Sequence, residues 1–229
     1  MSNELIWILF ALINFSLLLI FYRIFGKMGL FVWIGMATVI ANIQVLKTVE
    51  LFGLTATLGN IIYGSAYLAT DILNEKYSKK DAKKAVWLGF STLITMTIMM
   101  QIALQFQPGQ SDFAQGSLET LFGLIPQIAL GSMAAYLVSQ YFDVWIYDKI
   151  RKLFPSTKYL WLRNNAGTML SQLLDTTVFC SIAFYGQYPI NIWFEIFFTT
   201  YVIKFVVAII DTPFMYIAKF MHKNDQKGS

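Results

Sequence analysis

The chain has 229 residues, 57% of them hydrophobic and only 13% charged, with a mean hydropathy of +0.57. Soluble domains carry roughly a quarter charged residues, so this composition, with its 20 Phe and 6 Trp, excludes a soluble globular protein and indicates an integral membrane protein. A net charge of +4 would suggest a nucleic-acid partner in a soluble chain, but here the placement of the lysines accounts for it without one.

A bilayer crossing needs about 20 apolar residues in a helix. In chain order the qualifying stretches are 5–25, 29–47, 53–75, 83–106, 118–141, 162–186 and 191–218. The first has no basic leader and no small-x-small cleavage site before Arg23, so it reads as a retained helix and not a signal peptide. The connection 106–117 reads as turns around Pro108-Gly109. The segment 141–163 places Trp145, Ile146, Ile150 and Leu153 on one side and Lys149 and Lys152 on another, an amphipathic extension ending at Pro155. No soluble domain or low-complexity tract interrupts the pattern. The expectation is an all-α integral membrane protein, one transmembrane domain over 1–229 with a short tail at 219–229.

Charge placement tests that count. Every Lys and Arg except Lys47 and Lys204 falls after an odd-numbered span: Arg23 and Lys27; Lys76, Lys79, Lys80, Lys83 and Lys84; Lys149, Arg151, Lys152, Lys158 and Arg163; Lys219, Lys223 and Lys227. The connections 48–52, 107–117 and 187–190 hold none. With seven spans all these charges share one face, and the positive-inside rule puts the N-terminus outside and the C-terminus in the cytoplasm. Six or eight spans would scatter them.

Any chemistry must then come from polar residues within the spans, where a charge is costly and marks a site or a pathway by default. In the third span Asn60, Tyr63, Tyr67, Asp71 and Asn74 recur at helical spacing on one face, opposite Ile61, Ile62, Leu68 and Ile72. The second span offers Thr38, Asn42 and Gln44; the sixth Asn165, Gln172, Asp175 and Thr176; the seventh Glu195, Thr200, Tyr201, Lys204 and Asp211. Pro213 follows Asp211 and lacks the N–H that would serve a carbonyl one turn back. Bland readings stand beside these. Asn42 and Thr38 are ordinary interhelical glue, Tyr63 and Tyr67 can simply pack, and Asp71 lies close enough to the lysine-rich turn for a structural salt bridge. Lys204 with Asp175 or Asp211 could form a merely structural ion pair, although the acids outnumber the base.

A carboxylate surplus with amides and aromatics in a membrane cavity suits a small ligand rich in N–H donors. A guanine-like edge fits, since a carboxylate accepts from both N1–H and the 2-amino group while an amide donates to O6. An amino acid or a polyamine fits the composition as well. The single cysteine, Cys180, rules out a disulfide framework or a CxxC metal site; His222 is the only histidine, and no HExxH or Walker A lysine motif occurs. No cofactor, metal site or catalytic residue is expected.

The runs ANIQ (41–44), GNIIYGSAYLATDILNEKY (59–77), SQLLDT (171–176) and YVIKFVVAIIDTP (201–213) resemble the queuosine precursor transporter family, also called the vitamin uptake transporter family. The resemblance covers about 30–218, and the TD-x-x-x-E block before a basic turn is its most specific part. It implies a six-helix core with an additional N-terminal helix at about 5–25. It also implies import of 7-cyano-7-deazaguanine and 7-aminomethyl-7-deazaguanine across a bacterial cytoplasmic membrane for tRNA queuosine synthesis. Positions matching the family's polar pattern are Asn42, Thr70, Asp71, Gln172, Asp175, Thr176, Glu195, Lys204 and Asp211. The candidate substrate-binding set is therefore Asn42, Gln44, Asn60, Tyr63, Tyr67, Asp71, Gln172, Asp175, Tyr201, Lys204 and Asp211. In that arrangement Asp175 or Asp71 holds the ligand's donor edge, Gln172 and Asn42 its carbonyl edge, and Lys204 balances the empty site through Asp211. The partners are this small molecule and the lipid bilayer; glycine and alanine faces permit a homodimer without requiring one.

Three other readings compete. A substrate-binding subunit of an energy-coupling-factor importer would dock through the small-residue face of Ala37 and Ala41. An intramembrane enzyme would have to run on carboxylates alone. A structural or assembly protein would use Asp175 only for abundance.

Overall fold

The computed structural model describes residues 1–153 and 160–221. In chain order these form α1 (Asn3–Gln44), β1 (Thr48–Leu51), β2 (Leu54–Thr57), α2 (Asn60–Lys76), α3 (Lys79–Ala103), α4 (Gln115–Phe122), α5 (Ile125–Leu153), α6 (Leu160–Ala183) and α7 (Ile190–Phe220). The protein is all-α apart from one small hairpin. Pro155, Lys158, His222, Lys223 and Lys227 lie outside the described residues, as do the side chains of Arg151, Arg163 and Asn165.

The first two expected spans are a single element, α1, folded back on itself at Gly26. There φ is 54° and ψ is −137°, a conformation open in practice only to glycine. In a straight helix Phe21 and Trp33 would stand about 18 Å apart along the axis; their rings meet edge to face at 5.5 Å. Both halves of α1 bury one stripe, including Phe15, Leu18, Tyr22, Leu30, Trp33 and Ala37.

The connection expected at 48–52 and the start of the third span at 53 are both corrected by the hairpin. Thr48 pairs with Thr57, Val49 with Ala56, Glu50 with Thr55 and Leu51 with Leu54. Phe52 and Gly53 close it with φ of 53° and 75°, the two positive values a tight two-residue hairpin turn requires. β-Branched Thr48, Val49, Thr55 and Thr57 favour the extended chain over a helix here. Its edges are covered rather than left open. The Phe52 amide donates to the Glu4 carboxylate (3.1 Å), and Asn3 Nδ2 donates to the Glu50 carbonyl (3.0 Å). On β2 the Thr55 amide donates to Glu195 (3.0 Å), and the Thr199 hydroxyl donates to the Thr55 carbonyl (3.0 Å). What remains for α2 is 17 residues, short of a full crossing.

Among the described residues α1, α3, Gln115–Ser139 and α7 are long and apolar enough to cross a membrane, and Met169–Ala183 is a shorter apolar run. The fifth expected span is broken after α4, and the Asp112 carboxylate accepts from the amides of Ala114 (2.6 Å) and Gln115 (3.0 Å) where α4 begins. In the amphipathic extension of α5 the Lys149 ammonium sits 4.2 Å from the centroid of the Trp145 ring, a cation–π contact.

The helices sort into two groups. α1, α2, α3 and α7 share one core around Phe15, Tyr22, Leu30, Ile61, Leu68 and Ile72. α5 and α6 pair with each other and meet the first group through Val45, Ile128, Cys180, Phe184 and Ile196. α2 and α7 pack closely because Gly64 lacks a side chain: an added Cβ would collide with Val207 Cγ1. Opposite the hairpin end, Lys27 pairs with Asp81 (2.8 Å), Lys219 with Glu75 (3.6 Å), and Lys76 donates to the carbonyls of Ala218 and Met221 at the end of α7.

Candidate functional site

A cavity opens where the two helix groups meet, toward the hairpin end. With its open mouth included it encloses about 440 Å³ of space. α1 contributes Asn42, α2 Asn60 and Tyr63, α5 Ser132, α6 Asp175 and Phe179, and α7 Thr200 and Lys204.

Two polar bridges tie the groups together across this cavity. Lys204 reaches from α7 to α6, where its ammonium pairs with Asp175 and lies 3.2 Å from the Thr176 hydroxyl. The two charged side chains are 17% and 12% exposed, so little water competes for either. Asp175 also accepts from the Ser139 hydroxyl of α5 (3.3 Å). Asn42 forms the second bridge: its Nδ2 donates to the Thr38 carbonyl, and its Oδ1 accepts from the Ser132 hydroxyl, both at 2.7 Å. A buried pair of this kind is weak evidence for stability, because desolvation offsets much of the attraction, but it poises two opposite charges that a ligand can separate.

Below the cavity Tyr63 continues into a second pocket with Tyr67, Thr38, Phe90 and Tyr136. Tyr63 meets Tyr67 edge to face at 5.4 Å, and Phe90 meets Tyr136 likewise at 5.0 Å. Farther toward the Lys27 end, Asp71 and Asp211 face a separate open cleft with Glu75, Thr212, Tyr216 and Lys219. Neither Asp71 nor Asp211 has an ion-pair partner among the described residues.

The sequence-nominated residues thus divide. Asn42, Asn60, Tyr63, Asp175 and Lys204 line the cavity, Tyr67 lies in the aromatic layer beneath it, and Asp71 and Asp211 lie in the cleft. Lys204 is balanced by Asp175 and not through Asp211. Gln44 and Gln172 each hold a buried side-chain oxygen with no hydrogen-bond partner among the described residues, and neither lines the cavity. The Tyr201 hydroxyl points to the Met169 carbonyl (3.4 Å) and its ring meets Phe205. Ser132 and Phe179 went unnominated because a lone Ser or Phe in an apolar run carries no distinctive spacing. Thr200 stood on the α7 polar stripe but outside the nominated set. Ala37 and Ala41 are 0% and 3% exposed, so the small-residue face considered for an outside partner is consumed within the chain.

The fold defines the class: a polytopic all-α membrane protein with a buried ion pair in a cavity between two helix groups. The chain belongs to the family described as "Putative vitamin uptake transporter", whose profile matches residues 57–218. It is 57% identical over the full length of both chains to the "Probable queuosine precursor transporter" of Bacillus subtilis. It is 27% identical to the protein of that name from Haemophilus influenzae, over 69% of this chain and 66% of the relative. It is 24% identical to the "Queuosine precursor transporter" of Escherichia coli, over 74% of this chain and 75% of the relative. No solved structure matches the chain. The family profile begins inside β2, so α1, which supplies Asn42 to the cavity, lies before the matched region.

Proposed function

We propose that this protein imports a queuosine precursor, 7-cyano-7-deazaguanine or 7-aminomethyl-7-deazaguanine, across a bacterial cytoplasmic membrane. The observation that carries the reading is the buried Asp175–Lys204 pair lining a cavity that Tyr63 and Phe179 also line. The names of the relatives supply the ligand class, and the donor-rich edge of a deazaguanine matches a carboxylate acceptor. By the positive-inside rule the hairpin end faces outside and the Lys27 end faces the cytoplasm.

In this mechanism the substrate enters from the hairpin side. Its N1–H and 2-amino group take the Asp175 carboxylate in place of the Lys204 ammonium, and Lys204 turns to Thr176 or to the substrate's oxygen. Because that bridge joins α7 to α6, exchanging it changes the balance between two arrangements of the helix groups. A ligand drives such a change only through different affinities for the two states, as alternating access requires. Passage inward then crosses the Tyr63–Tyr67 layer toward the cleft at Asp71 and Asp211.

The test is binding of 7-cyano-7-deazaguanine to purified protein, beside guanine and adenine and beside Asp175→Asn. Saturable binding that Asp175→Asn abolishes in a folded protein is expected. A folded wild-type protein that binds no deazapurine would sink the substrate assignment.

A further inference from the structure

Thr200 is 2% exposed and is one of the residues that line the cavity, and its buried hydroxyl has no hydrogen-bond partner among the described residues. Other buried helical threonines behave differently. Thr38 donates to the Ile34 carbonyl (2.7 Å), Thr176 to that of Gln172 (2.9 Å) and Thr199 to that of Glu195 (2.8 Å). Bonding back to the carbonyl four residues earlier is the ordinary way a helical threonine satisfies its hydroxyl. Thr200 has the Ile196 carbonyl at the same spacing and makes no such bond. A buried polar atom left unpaired is unfavourable and calls for an explanation, and here it belongs to a residue of the cavity wall.

The rest of the lining narrows the explanation. Asn42 is the obvious amide, but each end of it already holds a protein partner. Asp175 and Lys204 hold each other. Asn60 has only a 3.5 Å approach from its Nδ2 to the Thr57 carbonyl. Thr200, Asn60 and the Tyr63 hydroxyl are the lining groups with the most hydrogen-bonding capacity to spare, and of these Thr200 is the most deeply buried. Thr200 lies four residues before Lys204, so the two share one face of α7 about 6 Å apart, with Thr200 toward the hairpin end.

We infer that Thr200 is a substrate contact. Its hydroxyl hydrogen-bonds a polar group of the bound heterocycle one helical turn toward the hairpin end from the edge held at Asp175, and Asn42 acts as a positioning residue. The assignment rests on the transport reading above.

The test measures affinity of the purified wild-type, Thr200→Val and Thr200→Ser proteins for 7-cyano-7-deazaguanine, with thermal unfolding recorded on each. Valine keeps the shape and removes the hydroxyl; serine keeps the hydroxyl and removes the methyl. Thr200→Val is expected to unfold at the wild-type temperature or above and to bind about ten-fold more weakly, the worth of one hydrogen bond. Thr200→Ser is expected within about three-fold of wild type, because its donor and acceptor remain. Unchanged affinity in Thr200→Val overturns the assignment, as does an equal loss in Thr200→Ser, which would make shape the cause. A Thr200→Val protein that fails to fold would show the hydroxyl serving the helices, and overturns it too. If wild type binds no deazapurine while folded, the transport reading itself fails and this assignment falls with it.

Discussion

The cavity at Asp175 and the cleft at Asp71 and Asp211 are two levels of the same helices. Lys204 and Asp211 lie two turns apart on α7, about 10 Å, and Tyr63 and Asp71 stand in a similar relation on α2. At the upper level the Asp175 side chain is 12% exposed and paired with an ammonium. At the lower level Asp71 is exposed and Asp211 half-buried, and among the described residues the nearby ion pair joins Lys219 to Glu75 at the rim. Identical side chains on three helices, Asp71 on α2, Asp175 on α6 and Asp211 on α7, thus meet opposite conditions. Enclosure forces Asp175 to find a partner, whereas an open cleft lets water serve Asp71 and Asp211. Burial, not residue type, separates a site from a vestibule.

Removing one charge from the enclosed pair is the strongest way to break this comparison. Asp175→Asn or Lys204→Met leaves the other charge buried alone, and a loss of about 3–5 kcal/mol of stability is expected for either variant, measured by thermal or denaturant unfolding in detergent. Combining Asp175→Asn with Lys204→Met should recover most of that stability while leaving binding absent. Gly64→Val tests the frame that holds both levels. Its side chain would push α2 away from Val207, and a loss of about 1–3 kcal/mol is expected by the same assay. Asp71→Asn and Asp211→Asn address the lower level directly. Each should change stability by no more than about 0.5 kcal/mol and leave deazaguanine affinity within about two-fold, while slowing uptake into cells. Equal damage to binding from these two would merge the levels into one site. The smallest effect is expected at the hairpin: Glu195→Gln weakens one exposed charge-assisted bond to the Thr55 amide and should leave the unfolding temperature, deazaguanine binding and uptake close to wild type.

The helical character of the chain was legible because long apolar runs and clustered lysines are signals on the scale of whole elements. The fold-back of α1 was legible from Arg23 and Lys27, which break the apolar run on either side of Gly26. The hairpin was missed because its turn is Phe-Gly rather than the usual Asn-Gly or Asp-Gly, and its apolar strands resemble the start of a membrane helix. For the site, periodicity placed Asn60, Tyr63, Tyr67 and Asp71 on one face but carried no information on depth. Two cavities along that face therefore appeared as one. The choice between Asp175 and Asp211 as the partner of Lys204 depends on how α6 leans against α7, a tertiary fact that no spacing within either helix encodes. Thr200 was visible as a polar residue, but only the absent back-bond distinguishes it from its neighbour Thr199.

The fold-back at Gly26 also bears on how the chain is made. Its two halves emerge from the ribosome together and can enter the bilayer as one hairpin of helices. Asn14 then lies in the buried stripe before its partners have been synthesised: its amide donates to the Ile61 carbonyl (3.4 Å), and Ser65, which also takes the Trp33 indole N–H (3.0 Å), sits beside it at 3.5 Å. An amide without partners in hydrocarbon is unfavourable by several kcal/mol on the scale of about 4–8 for transfer from water to an apolar solvent. Arrival of α2 relieves it, so biogenesis has a built-in order, with the N-terminal hairpin acting as a receptor that waits for the next helix.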